Sequence, residues 1–196
     1  MSKAELRRVL RDRLRGLSPE ERGWKSRRAC LHLVSCQPFQ HASVVMVFLS
    51  MPDEIDTREA IVLAIQRGMT VVVPKVDWDQ GSMTAVQIES PDPPVAVSRG
   101  GLRNPAGGEP VDPGRIDLVV TPGLGFDQQG HRLGRGAGFY DRFFARGGLR
   151  ATRCGFCFSE QVVESIPVTE ADLPVDWLVT DQQAVCIHGS QDWKGV

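Results

Sequence analysis

Glycines and arginines are concentrated in one stretch of the chain, from Gly123 to Asp141. Six glycines lie between Gly123 and Gly138, and Arg132 and Arg135 stand among them. Glycine lets a backbone approach a ligand closely and take positive φ, and guanidinium groups bind phosphate oxygens in a bidentate manner. Asp141, in the first turn of a predicted helix, is a carboxylate that could hold Mg²⁺ beside phosphates. The stretch therefore predicts an anion site, most simply for phosphate.

The elements around this stretch are predicted to be a strand, a glycine loop and a helix. The apolar run 116–121 suits a buried strand, and a helical pattern runs from about Phe139 to Gly147. The N–H groups of the loop glycines (134, 136 and 138) and the positive end of the helix could then face phosphate oxygens. The pattern is neither a Walker loop nor the dinucleotide fingerprint, whose third glycine would fall at Phe139. A flexible surface loop is the alternative interpretation.

A longer motif makes the interpretation more specific. Pro122-Gly-Leu-Gly-Phe-Asp127, followed by Gly130-His-Arg-Leu-Gly-Arg-Gly-Ala-Gly-Phe-Tyr-Asp141, resembles the signature of the 5-formyltetrahydrofolate cyclo-ligase family. The resemblance implies ATP-dependent cyclisation of 5-formyltetrahydrofolate to 5,10-methenyltetrahydrofolate with release of ADP and phosphate. It implies ATP and Mg²⁺ as cofactors, and a folate substrate with or without additional glutamate residues. It also implies a three-layer α/β sandwich with a mainly parallel sheet, as in sugar-phosphate isomerases and CoA-transferases.

The resemblance also assigns roles residue by residue. It implies ATP contacts at Lys3, Arg7, Arg132, Leu133, Gly134, Arg135, Gly136, Ala137, Gly138, Phe139 and Tyr140. Folate contacts are implied at Leu49, Glu54, Arg135, Gly136, Ala137, Gly138 and Phe139. Lys3, Arg132 and Arg135 are the implied catalytic residues, and Asp141 and Asp172 the implied Mg²⁺ ligands.

Several of these residues have an ordinary alternative interpretation. Lys3 and Arg7 could simply be solvated, Glu54 could be an acid preceding a helix, and Asp172 a turn residue. Two positions depart from the family pattern: Phe139 stands where a Tyr is common, and Asn104 where many relatives have an acid before the proline. The motif otherwise matches, so we expect an active enzyme.

The implied reaction explains why no Ser/His/Asp or Cys/His set is evident. Ring closure needs N10 to attack a formyl carbon whose oxygen is a poor leaving group, and phosphorylation of that oxygen solves the problem. Phosphoryl transfer depends on positioning and charge stabilisation rather than on a side-chain nucleophile. Arginines, a lysine, backbone N–H groups and Mg²⁺ are the groups that supply these effects.

The rest of the chain predicts a single α/β domain over residues 1–196. Capping boxes at Ser2 and Ser18 begin helices over 3–16 and 19–35, the second burying Trp24, Leu31 and Val34. Strands are predicted at 43–49, 70–73, 83–89, 152–158 and 175–180, with a helix at 57–67. Residues 90–114, rich in Pro and Gly, are predicted to be a lid or a mobile loop.

Composition limits the function classes. The five cysteines are an odd number, and the spacing of Cys154 and Cys157 points them to opposite faces of a strand, which disfavours a metal site. No apolar run reaches the length of a membrane span, and the N-terminus lacks a secretory core, so we expect a cytoplasmic protein without membrane partners. We also expect a monomer that does not bind nucleic acid. Residues 1–28 are basic, with ten Lys/Arg and four Asp/Glu. They do not form a basic patch with repeatedly interleaved aromatic residues, so they are weak support for nucleic-acid binding.

Two other functions stay open at this point. One is a non-catalytic folate- or nucleotide-binding module on the same fold, which would bind ligand without turning over ATP. The other is a sugar-phosphate isomerase or CoA-transferase relative, for which the sequence offers no catalytic Glu or Lys.

Overall fold

The structure, a computed structural model, describes residues 1–170 and 172–187. The helices are α1 (Lys3–Arg15), α2 (Pro19–Ser35), α3 (Gln37–His41), α4 (Arg58–Gln66) and α5 (Phe139–Phe144). The strands are β1 (Val44–Val47), β2 (Thr70–Asp77), β3 (Ser82–Ile88), β4 (Val95–Val97), β5 (Arg103–Pro105), β6 (Leu118–Thr121), β7 (Gly125–Asp127), β8 (Arg132–Leu133), β9 (Thr152–Phe156), β10 (Val162–Val163), β11 (Trp177–Val179) and β12 (Ala184–Cys186). No helix among the described residues is both long and apolar enough to cross a membrane.

A seven-stranded sheet in the order β12-β11-β9-β6-β1-β2-β3 forms the centre of the fold. Its five inner strands are parallel, and β12 and β3 add antiparallel edges. Helices α2, α3 and α4 pack on one face, where Leu33 and Ile61 join the main hydrophobic core. On the other face, Phe143 and Phe144 of α5 pack against Met46. The predicted three-layer α/β sandwich with a mainly parallel sheet is confirmed.

The first two helices begin where their capping boxes predict. The Ser2 and Ser18 hydroxyls accept hydrogen bonds from the backbone N–H groups of Glu5 and Glu21, whose carboxylates accept from the cap N–H groups in return. These contacts join residues three apart, so the sequence alone determines them.

The predicted buried face of α2 is partly wrong. Val34 is buried, but Trp24 and Leu31 are 37% and 57% exposed. Lys25 lies inside instead, with its Nζ 2.7 Å from Glu160 Oε1 and 2.9 Å from Asp181 Oδ2. Burial opposes the charge of Lys25, but these two carboxylates outweigh it and raise the pKa of its ammonium. Partners distant in sequence therefore decide which face of α2 turns inward.

Strand β2 is longer than predicted and continues through Pro74 to Asp77. Because β1 pairs only with residues 70–72 of β2, Pro74 and the residues after it have one edge free of ladder bonds, and proline is tolerated there. Strand β3 covers the other edge along its whole length.

Residues 90–114 contain a β-hairpin, formed by β4 and β5, rather than a structureless loop. Asn104 anchors it to β2, because its Oδ1 accepts a hydrogen bond from Val76 N at 2.8 Å and its Nδ2 donates to Val76 O at 2.9 Å. The Trp78 indole N–H also donates to Ser98 Oγ, at 3.2 Å. The side-chain amide of Asn104 thus forms the hydrogen bonds with Val76 that a neighbouring strand would otherwise form at the free edge of β2.

Replacing Asn104 by Asp should lower the free energy of unfolding by about 1–2 kcal/mol, since a carboxylate cannot donate to Val76 O and leaves that carbonyl unpaired. Urea denaturation at neutral pH measures the difference. Gln40→Glu adds a negative charge at an exposed position and should leave the stability within about 0.5 kcal/mol of the original. Equal stability of the Asn104→Asp variant and the original chain would contradict the anchoring role.

Candidate active site

A cleft of about 520 Å³ lies at the carboxyl ends of the parallel strands. Strands β1 and β6 are neighbours in register, with Val47 opposite Val120, so the segments that follow them leave the sheet at the same edge. Ligands commonly bind at this edge in open α/β sheets. The cleft is lined by all of the sequence-predicted site residues, namely Lys3, Arg7, Leu49, Glu54, Arg132, Leu133, Gly134, Arg135, Gly136, Ala137, Gly138, Phe139, Tyr140, Asp141 and Asp172.

The glycine-rich stretch is not one loop, as the sequence suggested, but a small hairpin followed by a loop. Strands β7 and β8 pair antiparallel, and the buried carboxylate of Asp127 holds their turn together. Its Oδ1 accepts hydrogen bonds from the N–H groups of Gln129 and His131, and its Oδ2 lies 3.0 Å from His131 Nδ1. His131 therefore has a structural contact and does not line the cleft.

The helix after the glycines is shorter than predicted. Helix α5 has six residues, so its dipole is a smaller source of positive charge than the sequence suggested. The charge at this end of the cleft comes mainly from the arginines.

Arg132 is the most enclosed of these arginines. Its guanidinium is buried, forms an ion pair with Asp141 at 2.7 Å (Nη2 to Oδ1), and lies 5.5 Å above the Tyr140 ring. Within the described residues, Arg132 Nε and the Tyr140 hydroxyl are buried without hydrogen-bond partners. Burial also raises the pKa of the Tyr140 hydroxyl, so that it stays protonated. Unpaired buried polar groups are costly, and a ligand in the cleft could supply the missing partners.

Two glycines are needed for two different reasons. A Cβ on Gly134 would come within 2.8 Å of Arg132 Nη1, so glycine here makes room for the buried guanidinium. Gly136 has φ +112°, a conformation that side-chain-bearing residues rarely adopt. Gly134 does not have positive φ.

Arg135 reaches across the cleft to the segment after β1. Its Nη2 is 2.9 Å from Asp53 Oδ1, and its Nε is 3.2 Å from Glu54 Oε1. The Glu54 side chain is only 10% exposed, and its second oxygen accepts a hydrogen bond from Met51 N. Since α4 starts at Arg58, Glu54 precedes the helix by four residues, and its carboxylate is bound by Arg135 and by Met51 N.

Burial raises the pKa of Glu54 above the ordinary 4.5, and the attraction of Arg135 offsets this only in part. A raised folded-state pKa means that the contribution of this group to stability is present below about pH 4.5 and is lost as the pH rises through the folded pKa. We therefore expect the free energy of unfolding of Glu54→Gln to increase relative to that of the original chain between about pH 4 and pH 7. Urea unfolding at several pH values measures this.

Asp53→Asn is the matched control, because it removes the same charge from a more exposed partner of Arg135. Its stability difference from the original chain should change less over that pH range. If Glu54→Gln instead loses stability relative to the original chain as the pH rises, the ion pair with Arg135 outweighs burial.

Helix α1 contributes cations to the same cleft. Lys3 Nζ is 2.6 Å from Asp172 Oδ2, and Arg7 Nε donates to Gly134 O at 2.9 Å. Arg11 also lines the cleft and was missed by the sequence analysis. Its spacing was the available signal, since residues 3, 7 and 11 are each four apart and share one face of a helix.

Asp141 and Asp172, the predicted metal ligands, each face a cation, Arg132 and Lys3. Burial would raise the pKa of Asp172, but hydrogen bonds from Lys3 and Thr169 outweigh it and lower that pKa. No group of three or more His, Cys, Asp or Glu that could hold a metal occurs in the described residues. Two carboxylates on one cleft still suit Mg²⁺, which takes one or two carboxylates and completes its shell with phosphate oxygens and water.

The two cysteines of the Cys154–Cys157 pair lie in separate hydrophobic clusters. Burial raises the pKa of both thiols, so the thiolate form that a metal needs is disfavoured. The prediction that these cysteines are structural agrees with this environment.

One wall of the cleft comes largely from residues 90–114, which were predicted only as a lid or a mobile loop. It includes Trp78, Leu102 and the arginines at positions 99 and 103, which come from the end of β2 and the β4–β5 hairpin. The Trp78 ring meets Phe139 edge to face, with centroids 4.9 Å apart. This wall lies in a region without periodicity, so no local signal could identify it.

Comparison with known proteins agrees with this geometry. The model of the 5-formyltetrahydrofolate cyclo-ligase family matches residues 1–181. The 5-formyltetrahydrofolate cyclo-ligase of Mus musculus is 32% identical over 185 residues, which cover 89% of this chain and 91% of the relative. That of Escherichia coli (strain K12) is 30% identical over 176 residues, covering 88% and 96%.

Solved structures give the same result. The NMR structure of Aquifex aeolicus 5,10-methenyltetrahydrofolate synthetase has a TM-score of 0.82 and 29% identity, covering 100% of this chain and 97% of that one. The 5,10-methenyltetrahydrofolate synthetase from Mycoplasma pneumoniae, at 20% identity and a TM-score of 0.76 over 92% of this chain and 99% of that one, shows the shared fold. The chain belongs to the 5-formyltetrahydrofolate cyclo-ligase family.

Proposed function

We propose that this protein uses ATP to cyclise 5-formyltetrahydrofolate to 5,10-methenyltetrahydrofolate, with release of ADP and phosphate. The observation that carries the proposal is the convergence of Lys3, Arg7, Arg132 and Arg135 on one cleft that is also lined by Glu54. These residues come from α1, from the glycine–arginine stretch and from the segment after β1. The cleft therefore combines a polyphosphate-binding side with a buried carboxylate for an organic substrate.

In the proposed reaction, the formyl oxygen takes the terminal phosphoryl group of ATP and thereby becomes a good leaving group. N10 then attacks the formyl carbon and loses its proton, and phosphate departs. Negative charge spreads over the transferred phosphoryl oxygens, and groups fixed in advance stabilise it best. Arg132 meets this requirement, because Asp141 and the Tyr140 ring hold its guanidinium in place.

The other two proposed catalytic cations have carboxylate partners that a phosphate can replace. Lys3 pairs with Asp172, and Arg135 pairs with Asp53 and Glu54. Phosphate oxygens are acceptors of the same kind as carboxylate oxygens, so the cations can exchange partners when ATP binds. Glu54, once released from Arg135, can accept hydrogen bonds from N–H groups of the folate ring.

Asp141 and Asp172 are the residues that would hold Mg²⁺. The ion would neutralise charge on the phosphate oxygens and orient them. Glycine N–H groups at positions 136 and 138, both in the left-handed region of φ, would add uncharged donors. A cytoplasmic monomer without nucleic-acid or membrane partners remains our expectation.

Measurement of absorbance at the methenyl product's band, with 5-formyltetrahydrofolate and with or without ATP and Mg²⁺, tests the proposal. Absorbance should increase only when substrate, ATP and Mg²⁺ are all present. The alternative, a non-catalytic folate- or nucleotide-binding module, predicts ligand binding without any absorbance change. That outcome would overturn the proposed activity.

A further inference from the structure

The hairpin formed by β4 and β5 brings two arginines to the cleft. Arg99 lies in the turn between the strands and Arg103 begins β5, paired with Val97. The position of the hairpin is fixed by the two Asn104–Val76 hydrogen bonds and by the Trp78–Ser98 hydrogen bond. The two guanidinium groups therefore belong to a wall that the fold holds in place.

Neither guanidinium has a hydrogen-bond or ion-pair partner among residues 1–170 and 172–187. Arg99 lies over the Trp78 ring at 5.9 Å, and Arg103 has only a longer-range attraction to Asp92, which is already paired with Arg58. Lys3, Arg132 and Arg135, in contrast, all have carboxylate partners. Arg99 and Arg103 are thus the cations on this wall of the cleft that are free to bind an additional anion.

Their location relates them to the organic substrate rather than to the nucleotide. Trp78 contacts both Phe139 of the glycine–arginine stretch and Arg99. Arg11, which has no ion-pair partner among the described residues either, lies on the helical face of Lys3 and Arg7 and fits the phosphate side. An aromatic surface that leads away from the glycines to two guanidinium groups suits a ligand with a ring system and a terminal carboxylate.

Arg103 also marks an exit from the cleft. It lines both this cleft and an adjoining cavity of about 800 Å³, which shares Met51 and Glu54 with it. Arg22 lies on the wall of the second cavity, with its donors bound to backbone carbonyls. A ligand end bound at Arg103 can therefore extend beyond the cleft, as a chain of variable length requires.

We propose that Arg99 and Arg103 bind the carboxylates of the glutamate tail of the folate substrate and so determine the preference for glutamylated folates. This inference rests on the proposed function, because it takes the substrate class from it. Arg103 is half-buried, so its charge-assisted hydrogen bonds should contribute more than those of the exposed Arg99.

Equilibrium binding tests the inference independently of turnover. Isothermal titration calorimetry compares 5-formyltetrahydrofolate with the same molecule lacking its glutamate, 5-formyltetrahydropteroate, on the original chain and on Arg99→Gln, Arg103→Gln and the double variant. We expect the original chain to bind the glutamylated ligand at least about tenfold more tightly than the tail-less one. Arg103→Gln should lose about tenfold of affinity for the glutamylated ligand and Arg99→Gln about threefold. The double variant should bind both ligands equally.

Arg115→Gln is the matched control, since it removes the same charge from an exposed position outside the cleft. The KM for ATP should stay within about twofold in all four variants, because the proposed site does not contact phosphate. A double variant that retains the preference for the glutamylated ligand would overturn the inference, as would an original chain that binds neither ligand or both equally. Tail-dependent binding without any methenyl product would overturn the proposed reaction and leave the tail site supported.

Discussion

Arg135→Ala should lower kcat/KM for methenyl formation by more than about tenfold, because a donor that stabilises charge in the transition state is lost; loss of one preorganised donor typically costs about 10²–10³-fold. The melting temperature should fall, because the ion pair of Arg135 with Asp53 is at the surface but the largely buried Glu54 also loses its cation. Absorbance kinetics over a range of both substrates measure the effect. The kcat/KM of Arg135→Lys should lie between those of the original chain and of Arg135→Ala, because lysine keeps the charge but not the planar fork of donors.

The ion pair with Glu54 offers a second explanation for a loss of activity in Arg135→Ala. In this explanation, Arg135 contributes to activity only by positioning Glu54 to bind folate. A double-mutant cycle separates the two. If Arg135 acts only through Glu54, Arg135→Ala should add no loss in the Glu54→Gln background. If Arg135 acts on the phosphoryl group, the loss should persist there. Arg115→Ala, at an exposed site outside the cleft, should keep the original rate. Wild-type rates in Arg135→Ala would remove this residue from the mechanism.

Asp141→Asn should raise the Mg²⁺ concentration needed for half-maximal activity by at least about tenfold, because an amide oxygen is a weaker ligand for this ion than a carboxylate. The structure makes this substitution informative, since Asn keeps an oxygen that can accept the hydrogen bond of Arg132 Nη2. The substitution therefore weakens metal binding while it leaves the hydrogen bond that positions Arg132. Magnesium titration at saturating ATP and folate measures the change.

Asp53→Asn serves as the comparison, because it also removes a carboxylate paired with an arginine of the glycine–arginine stretch. We expect its magnesium titration to match that of the original chain. An unchanged titration in Asp141→Asn, with a lower maximal rate, would show that Asp141 only holds Arg132. The same experiment on Asp172→Asn then tests the second proposed ligand, which hydrogen bonds from Lys3 and Thr169 keep ionised.

Features that depend on neighbours a few residues apart could be predicted from the sequence. The capping boxes of α1 and α2, the buried parallel strands and the glycines at positions 136 and 138 belong to this group. The residues of the candidate site were also predicted, because the motif from 122 to 141 is long and its order unusual. All of them line one cleft, although their roles remain predictions.

Features that depend on packing between distant segments were either not predicted from the sequence or predicted wrongly. The inward face of α2 follows from Lys25 meeting Asp181, and the extension of β2 follows from its pairing with β3 and from Asn104. The wall of Trp78, Arg99 and Arg103 forms only when the hairpin of residues 95–105 docks on β2. No periodicity in the sequence reports such docking.

Residue types alone predict a stretch of glycine and arginine suited to phosphate after a buried strand, since backbone freedom and guanidinium charge are properties of residue types. The contacts of that stretch depend on how distant segments pack. Arg135 binds Glu54, from which it is separated by 81 positions in the sequence, and Lys3 binds Asp172, from which it is separated by 169. These contacts arise because the parallel sheet brings the carboxyl ends of β1 and β6 to one edge, and a cleft forms there from segments that are far apart in the sequence.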